Sequence, residues 1–213
     1  MQKQQANSGA DRETQLAKST LRLLENKAWG EITLSAVARA ARLPLSDALS
    51  VVASKTSLPG SILRMLAKDT AHQYGAEAAS AGPRERLFDA SMTFFDVQER
   101  YAVALKKLYR ALQFDLPTLA ATRSDVLHVA GELLATAEAD MGLSPSVQAA
   151  VFAAILLRAI WAWRDDDAEM GKTMARLDGD LRRAERFLWP KPAVAAAPGA
   201  SEARKRGRSR KKS

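Results

Sequence analysis

The chain has 213 residues, 47% of them hydrophobic and 26% charged, with no cysteine and a formal net charge of +8. Without cysteine there is no disulfide framework, no zinc–thiolate site and no Cys nucleophile, a pattern that suits a cytoplasmic protein. Most of the charge sits in residues 201–213, where Arg204, Lys205, Arg206, Arg208, Arg210, Lys211 and Lys212 outweigh Glu202, so the body of the chain is nearly balanced.

Residues 1–10 are polar, lack the apolar run of a secretory signal, and are expected to be disordered. A helix is expected from about Asp11, with Leu16, Thr20, Leu23 and Leu24 on one face. Ala28-Trp29-Gly30 ends it. Thr33 can cap a second helix, in which Leu34, Val37, Ala38 and Ala41 recur at helical spacing. Arg42-Leu43 forms a turn. Pro44 suits the start of a third helix, with Leu45, Ala48, Leu49 and Val52 on one face. Ser57 and Pro59 open a fourth. Gly82-Pro83 is a boundary, followed by helical stretches over 84–97 (Leu87, Phe88, Met92, Phe95) and 98–114 (Tyr101, Leu105, Leu108, Tyr109, Leu112).

A further helix is expected from Pro117 to about Asp140, and another from Ser144-Pro145 to Trp163. The run Ala149–Trp163 is apolar on nearly all sides. At about 15 residues it is shorter than a bilayer span, which predicts a buried helix. Over the last helix, about 168–189, Met170, Met174, Leu177, Leu181, Ala184 and Leu188 form a heptad-like seam. Pro- and Gly-rich residues then lead into the basic run, and 190–213 is expected to be a disordered basic tail. No segment shows strand alternation, so the fold class is all-α.

Ala28-Trp29, Ile32-Thr33-Leu34, Val37-Ala38, Ala40-Ala41, Leu43 and Ser54-Lys55 resemble the DNA-binding segment of TetR-type regulators. The stretches 83–101 and 161–185 resemble a bacterial TetR-like subgroup related to COQ9, the lipid-binding accessory protein of ubiquinone biosynthesis. The resemblance implies a helix-turn-helix domain over 11–66 and a helical ligand-binding and dimerisation domain over 67–189. It also implies a homodimer on duplex DNA with two half-sites. The family pattern has Gly, Ser and Tyr where Arg42, Pro44 and Leu49 stand, and aromatic or His residues at Val51 and Val52. Apolar side chains can touch a thymine methyl but cannot make a bidentate hydrogen bond to a base.

On that resemblance Thr33, Arg42, Ser46 and Lys55 are candidates for phosphate contact, and Leu45, Leu49 or Val51 for base contact. Met92, Phe95, Tyr109, Phe114 and Phe152 are candidates for lining a pocket for a small apolar or isoprenoid ligand; ordinary core packing is the alternative. Met170, Met174, Leu177 and Leu181 are candidates for the dimer interface. The tail can meet nucleic acid or an anionic membrane surface, or simply be solvated. Asp165-Asp166-Asp167 does not predict a metal site, since consecutive helical carboxylates diverge. Gly171-Lys172-Thr173 lacks the earlier Gly of a phosphate loop. His72 and His128 stand in no catalytic motif, and neither an enzyme nor a cofactor is expected. The two readings are thus a ligand-controlled regulator and a COQ9-like lipid-binding protein whose helix-turn-helix no longer reads DNA.

Overall fold

Periodic apolar segments, broken by Pro and Gly, fold as nine α-helices among the residues that this computed structural model describes, 2–74 and 82–188. They are α1 (Gln2–Asn26), α2 (Leu34–Ala40), α3 (Leu45–Val51), α4 (Leu58–Gln73), α5 (Pro83–Glu99), α6 (Ala102–Leu112), α7 (Leu116–Thr136), α8 (Pro145–Arg164) and α9 (Gly171–Leu188). No strand occurs among the described residues. The expected all-α class is the observed one.

The first helix departs from expectation. It begins at Gln2 instead of near Asp11, so most of the segment expected to be disordered is helical. Gln, Lys and Ala are good helix formers, and no Pro interrupts them. Gly9 then passes beside α3, where an added Cβ would lie 3.9 Å from Val51 Cγ1. The boundary expected at residue 66 falls inside α4, which packs on α1 as well as on α5 and α7. The tail beyond 188 lies outside the described residues.

Helix starts follow local chemistry. Asp115 caps α7 by accepting from the Thr118 N–H at 3.1 Å and from its hydroxyl at 2.7 Å. Pro83 and Pro145 open α5 and α8, where no N–H is required. α8 extends four residues beyond the apolar run at its N-terminal side, reaching Pro145. By length and composition it could cross a membrane, and 39% of its apolar window is buried inside the protein.

One continuous apolar core runs through the chain, from Leu16, Leu24 and Ile32 through Leu66 and Phe94 to Phe152 and Trp163. Trp163 is its aromatic centre. Tyr109 meets it edge-on at 6.1 Å, Phe95 lies 6.4 Å away, and its indole N–H donates to Glu99 at 2.9 Å. The Tyr109 hydroxyl donates to Gln98 Oε1 at 2.7 Å, and burial pushes that phenol well above its ordinary value.

The three aspartates lie between α8 and α9, outside any helix, and each takes different partners. Asp165 pairs with Arg164 and Arg110. Asp166 turns inward and accepts from the Thr173 N–H at 2.8 Å and hydroxyl at 2.9 Å. Asp167 accepts from the Glu169 N–H. Burial works against ionised Asp166, but the Thr173 hydrogen bonds outweigh it and hold the carboxyl below its ordinary value.

The seam of α9 requires a correction. Leu177 and Leu181 are 0% exposed, and Met170 and Ala184 are buried with them, because α9 packs on α8 and α5 of its own chain. A heptad-like stripe marks a face that needs covering and does not say what covers it. Of the four residues expected at a dimer interface only Met174, 39% exposed, is open to a partner.

Candidate functional site

The short helices α2 and α3 are set by four local features. Thr33 caps α2, its hydroxyl oxygen accepting from the Ala36 N–H at 3.2 Å. α2 ends as the Leu43 N–H returns to the Ala38 carbonyl at 2.9 Å and the Arg42 N–H to the Arg39 carbonyl at 3.0 Å. This closure puts Arg42 at φ 55°, the left-handed region that a glycine would enter without strain. The Gly of the family pattern has a physical use here, and Arg42 fills the place at a cost. Finally, the Gln15 side chain donates to the Ala41 carbonyl at 2.6 Å, satisfying an end of α2 from α1.

α3 buries Ala48, with Val52 just beyond its end, and turns Leu45 and Leu49 outward at 45% and 50% exposure. Ser46 and Ser50 are exposed beside them. The only charged residue of α3 is Asp47, which faces Arg12 of α1 at 3.5 Å. Arg42 is exposed at the start of this outer surface, and Arg39 is exposed on the last turn of α2; neither has an ion-pair partner among the described residues. Arg39 went unnoticed in the sequence, although it lies one turn before Arg42.

Lys55 departs from expectation. Its ammonium donates to the Trp29 carbonyl at 2.6 Å and lies 4.5 Å from the centre of the Trp29 ring. It therefore closes the three-helix unit from within, and is not a free phosphate anchor. Thr33 is exposed, but its hydroxyl serves the α2 cap.

Two polar junctions join this unit to the rest of the chain. The Trp29 indole N–H donates to Asp115 Oδ2 at 2.9 Å, at the start of α7. The hydroxyl of Thr118, followed by this indole, keeps Asp115 below its ordinary pKa. At the second junction Arg64 of α4 pairs with both Glu13 of α1 and Asp125 of α7. Ser61 also donates to Glu13, at 2.8 Å. Asp125 lies so close to α4 that a Cβ at Gly60 would collide with its Oδ2.

Next to these junctions is an apolar cavity of about 760 Å³ between α4, α6, α7 and α8. That size suits a small ligand. Leu63, Leu112, Val126, Leu127, Ala153 and Ile160 line it, while Leu116, Leu119, Leu157 and Trp161 are exposed at its opening. Of the five expected lining residues, Tyr109 alone borders this cavity. Phe95 and Phe152 are fully buried in the core, and Met92 is half-buried elsewhere on α5. Phe114 is 89% exposed, because it falls after the end of α6 and off its apolar face. The residues that do line the cavity come mostly from α7 and α8, as a stripe of aliphatic side chains instead of aromatics. No cluster of side chains able to hold a metal occurs among the described residues. The basic tail, Arg204 to Lys212, lies outside them.

No family model matches the sequence, and no curated protein matches it. Solved structures do. A TetR transcriptional regulator from Nitrosomonas europaea ATCC 19718 matches with a TM-score of 0.60 at 13% identity, over 82% of this chain and 98% of that one. A TetR transcriptional regulator from Rhodococcus sp. RHA1 matches with a TM-score of 0.50 at 13% identity, over 84% of this chain and 96% of that one. The order of helices, the three-helix unit at the N-terminal side and the larger helical body behind it together give this chain the fold of TetR-type regulators.

Proposed function

We infer that the protein is a TetR-like DNA-binding transcriptional regulator that acts as a homodimer and responds to an apolar ligand. The observation carrying this reading is the outer surface of α3. Leu45, Ser46 and Leu49 stand uncovered on a helix whose other side is packed, with the unpaired Arg42 at its head. Leu45 and Leu49 suit thymine methyl groups, while Arg42, Arg39 and Thr33 suit phosphates. A two-fold dimer would engage two half-sites about one helical turn or a multiple apart. Its contact surface shifts from the buried α9 seam to exposed side chains of α8 and α9, Val147 and Met174 among them. The cavity is the place for the ligand.

A second reading is favoured by Asp47 and Lys55. The sole charge on α3 is acidic, and Lys55, one of the two cations expected to anchor phosphate, is held by Trp29. Those features suit a COQ9-like lipid-binding protein in which the three-helix unit is structural. Binding-site selection from random duplex DNA with the full chain, at physiological salt, separates the two. Enrichment of a motif with two half-sites supports the regulator. A selection without enrichment, with isoprenoid lipid found by mass spectrometry in the purified protein, rejects the regulator and supports the second reading.

A further inference from the structure

We propose that the cavity between α4, α6, α7 and α8 takes an amphiphile with a single anionic head, a long-chain carboxylate, and that Arg123 selects it. The inference rests on the ligand-binding part of the function proposed above and names the chemical class.

The polar inventory of the cavity leads to this. Four of its lining side chains have hydrogen-bonding groups: Tyr109, Thr122, Arg123 and the indole N–H of Trp161. The Tyr109 hydroxyl is donated to Gln98 at 2.7 Å, and the Thr122 hydroxyl to the Thr118 carbonyl at 2.7 Å. The helical backbone of the walls is bonded to itself. Arg123 is exposed and has neither hydrogen-bond nor ion-pair partner among the described residues. It is also the only charged residue of the lining. Apart from the Trp161 indole N–H, a neutral donor, every other wall group is apolar or already bonded.

Its position fits a head group. Along α7, Leu116, Leu119, Arg123, Val126 and Leu127 share one face, each three or four residues from the next or adjacent to it. One cation therefore interrupts an otherwise aliphatic stripe. Leu116 and Leu119 are exposed at the opening, so a head held by Arg123 keeps contact with water. Its alkyl chain would lie along Val126, Leu127 and Ile160. A guanidinium fork matches a carboxylate bidentately and repels an ammonium. A neutral isoprenoid would leave Arg123 unused.

The test is calorimetric titration of the intact protein with dodecanoate, 1-dodecanol and dodecylammonium. Dodecanoate is expected to bind about tenfold or more tightly than dodecanol, and dodecylammonium weakest. Arg123→Gln, on an exposed position, should remove the preference for dodecanoate while leaving dodecanol binding unchanged. Equal affinity for acid and alcohol, or an unaltered preference in Arg123→Gln, overturns the proposal. So does failure of all three probes to bind, the result expected if a second copy of the chain covers the opening. DNA selection on the same preparation keeps the two readings apart. Dodecanoate selectivity without motif enrichment rejects the regulator alone, and enrichment without selectivity rejects the carboxylate alone.

Discussion

Trp29, in the turn between α1 and α2 of the three-helix unit, is hydrogen-bonded to Asp115, 86 positions later, with 2.9 Å between Nε1 and Oδ2. The same carboxylate caps α7 through Thr118. One side chain thus terminates a helix of the larger body and docks the N-terminal unit onto it.

Asp115→Ala should therefore cost more than an ordinary cap. It loses the α7 cap, at about 1 kcal/mol, and strands a partly buried indole N–H, at a further 1–2 kcal/mol or so. Urea denaturation should show a loss of about 2–3 kcal/mol. A loss below about 0.5 kcal/mol would show that the junction carries no load.

Gly60 gives a prediction of changing sign. Gly60→Ala should destabilise the protein by about 1–2 kcal/mol, because the new Cβ displaces Asp125 from Arg64. In an Asp125→Ala background the obstruction is gone, and the helix preference of Ala should make the same change stabilising by up to about 1 kcal/mol. Equal effects in both backgrounds would contradict the close approach.

Arg42→Gly should separate stability from binding. Releasing the left-handed backbone should stabilise the fold by about 0.5–1 kcal/mol, read as a rise in Tm. If Arg42 meets phosphate, DNA affinity should fall in the same variant and the salt dependence should flatten by about one ion. A variant with lower Tm would contradict the strain.

The buried seam and the open Met174 predict opposite phenotypes. Leu181→Ala should cost about 2–5 kcal/mol as a core cavity and leave the oligomeric state unchanged in sedimentation. Met174→Asp should cost little in stability and shift a dimer toward monomer. Dissociation by Leu181→Ala at retained stability would restore the seam to the interface.

Acid should loosen the start of α9. The carboxyl of Asp166 is lowered in the fold, so its stabilising contribution is full above the ordinary value of 3.8 and disappears as pH falls through the lowered one. Asp115 acts in the same direction. Asp125 has the opposite sign: burial raises it despite Arg64, so its contribution is full below 3.8 and fades as pH rises through the raised value. Asp166→Ala should cost about 1–2 kcal/mol at neutral pH and flatten the loss of stability on acidification. An unaltered acid limb would count against this account.

Much of the architecture was legible because caps and periodicity are local. Thr33, Pro145 and the 170–188 spacing marked real helices. What covers a face is not local. The α9 stripe looked the same whether a partner helix or α8 lay against it, and Phe95 and Phe152 had pocket-like chemistry at positions the core had filled. Lys55 resembled a free cation because Trp29, its partner, is 26 residues away. The stripe of α7 was readable in principle, yet it becomes informative only once α8 faces it and Arg123 is seen to stand alone.

The bridge at Arg64 has one further consequence. Glu13 of α1 and Asp125 of α7 are like charges that meet at one guanidinium of α4, and burial, followed by the field of Glu13, raises the Asp125 carboxyl against the pull of Arg64. A single guanidinium turns their mutual repulsion into cohesion. The seam between the N-terminal unit and α7 is thus spring-loaded: neutralising one residue would not merely slacken it, but would set its two faces pushing apart.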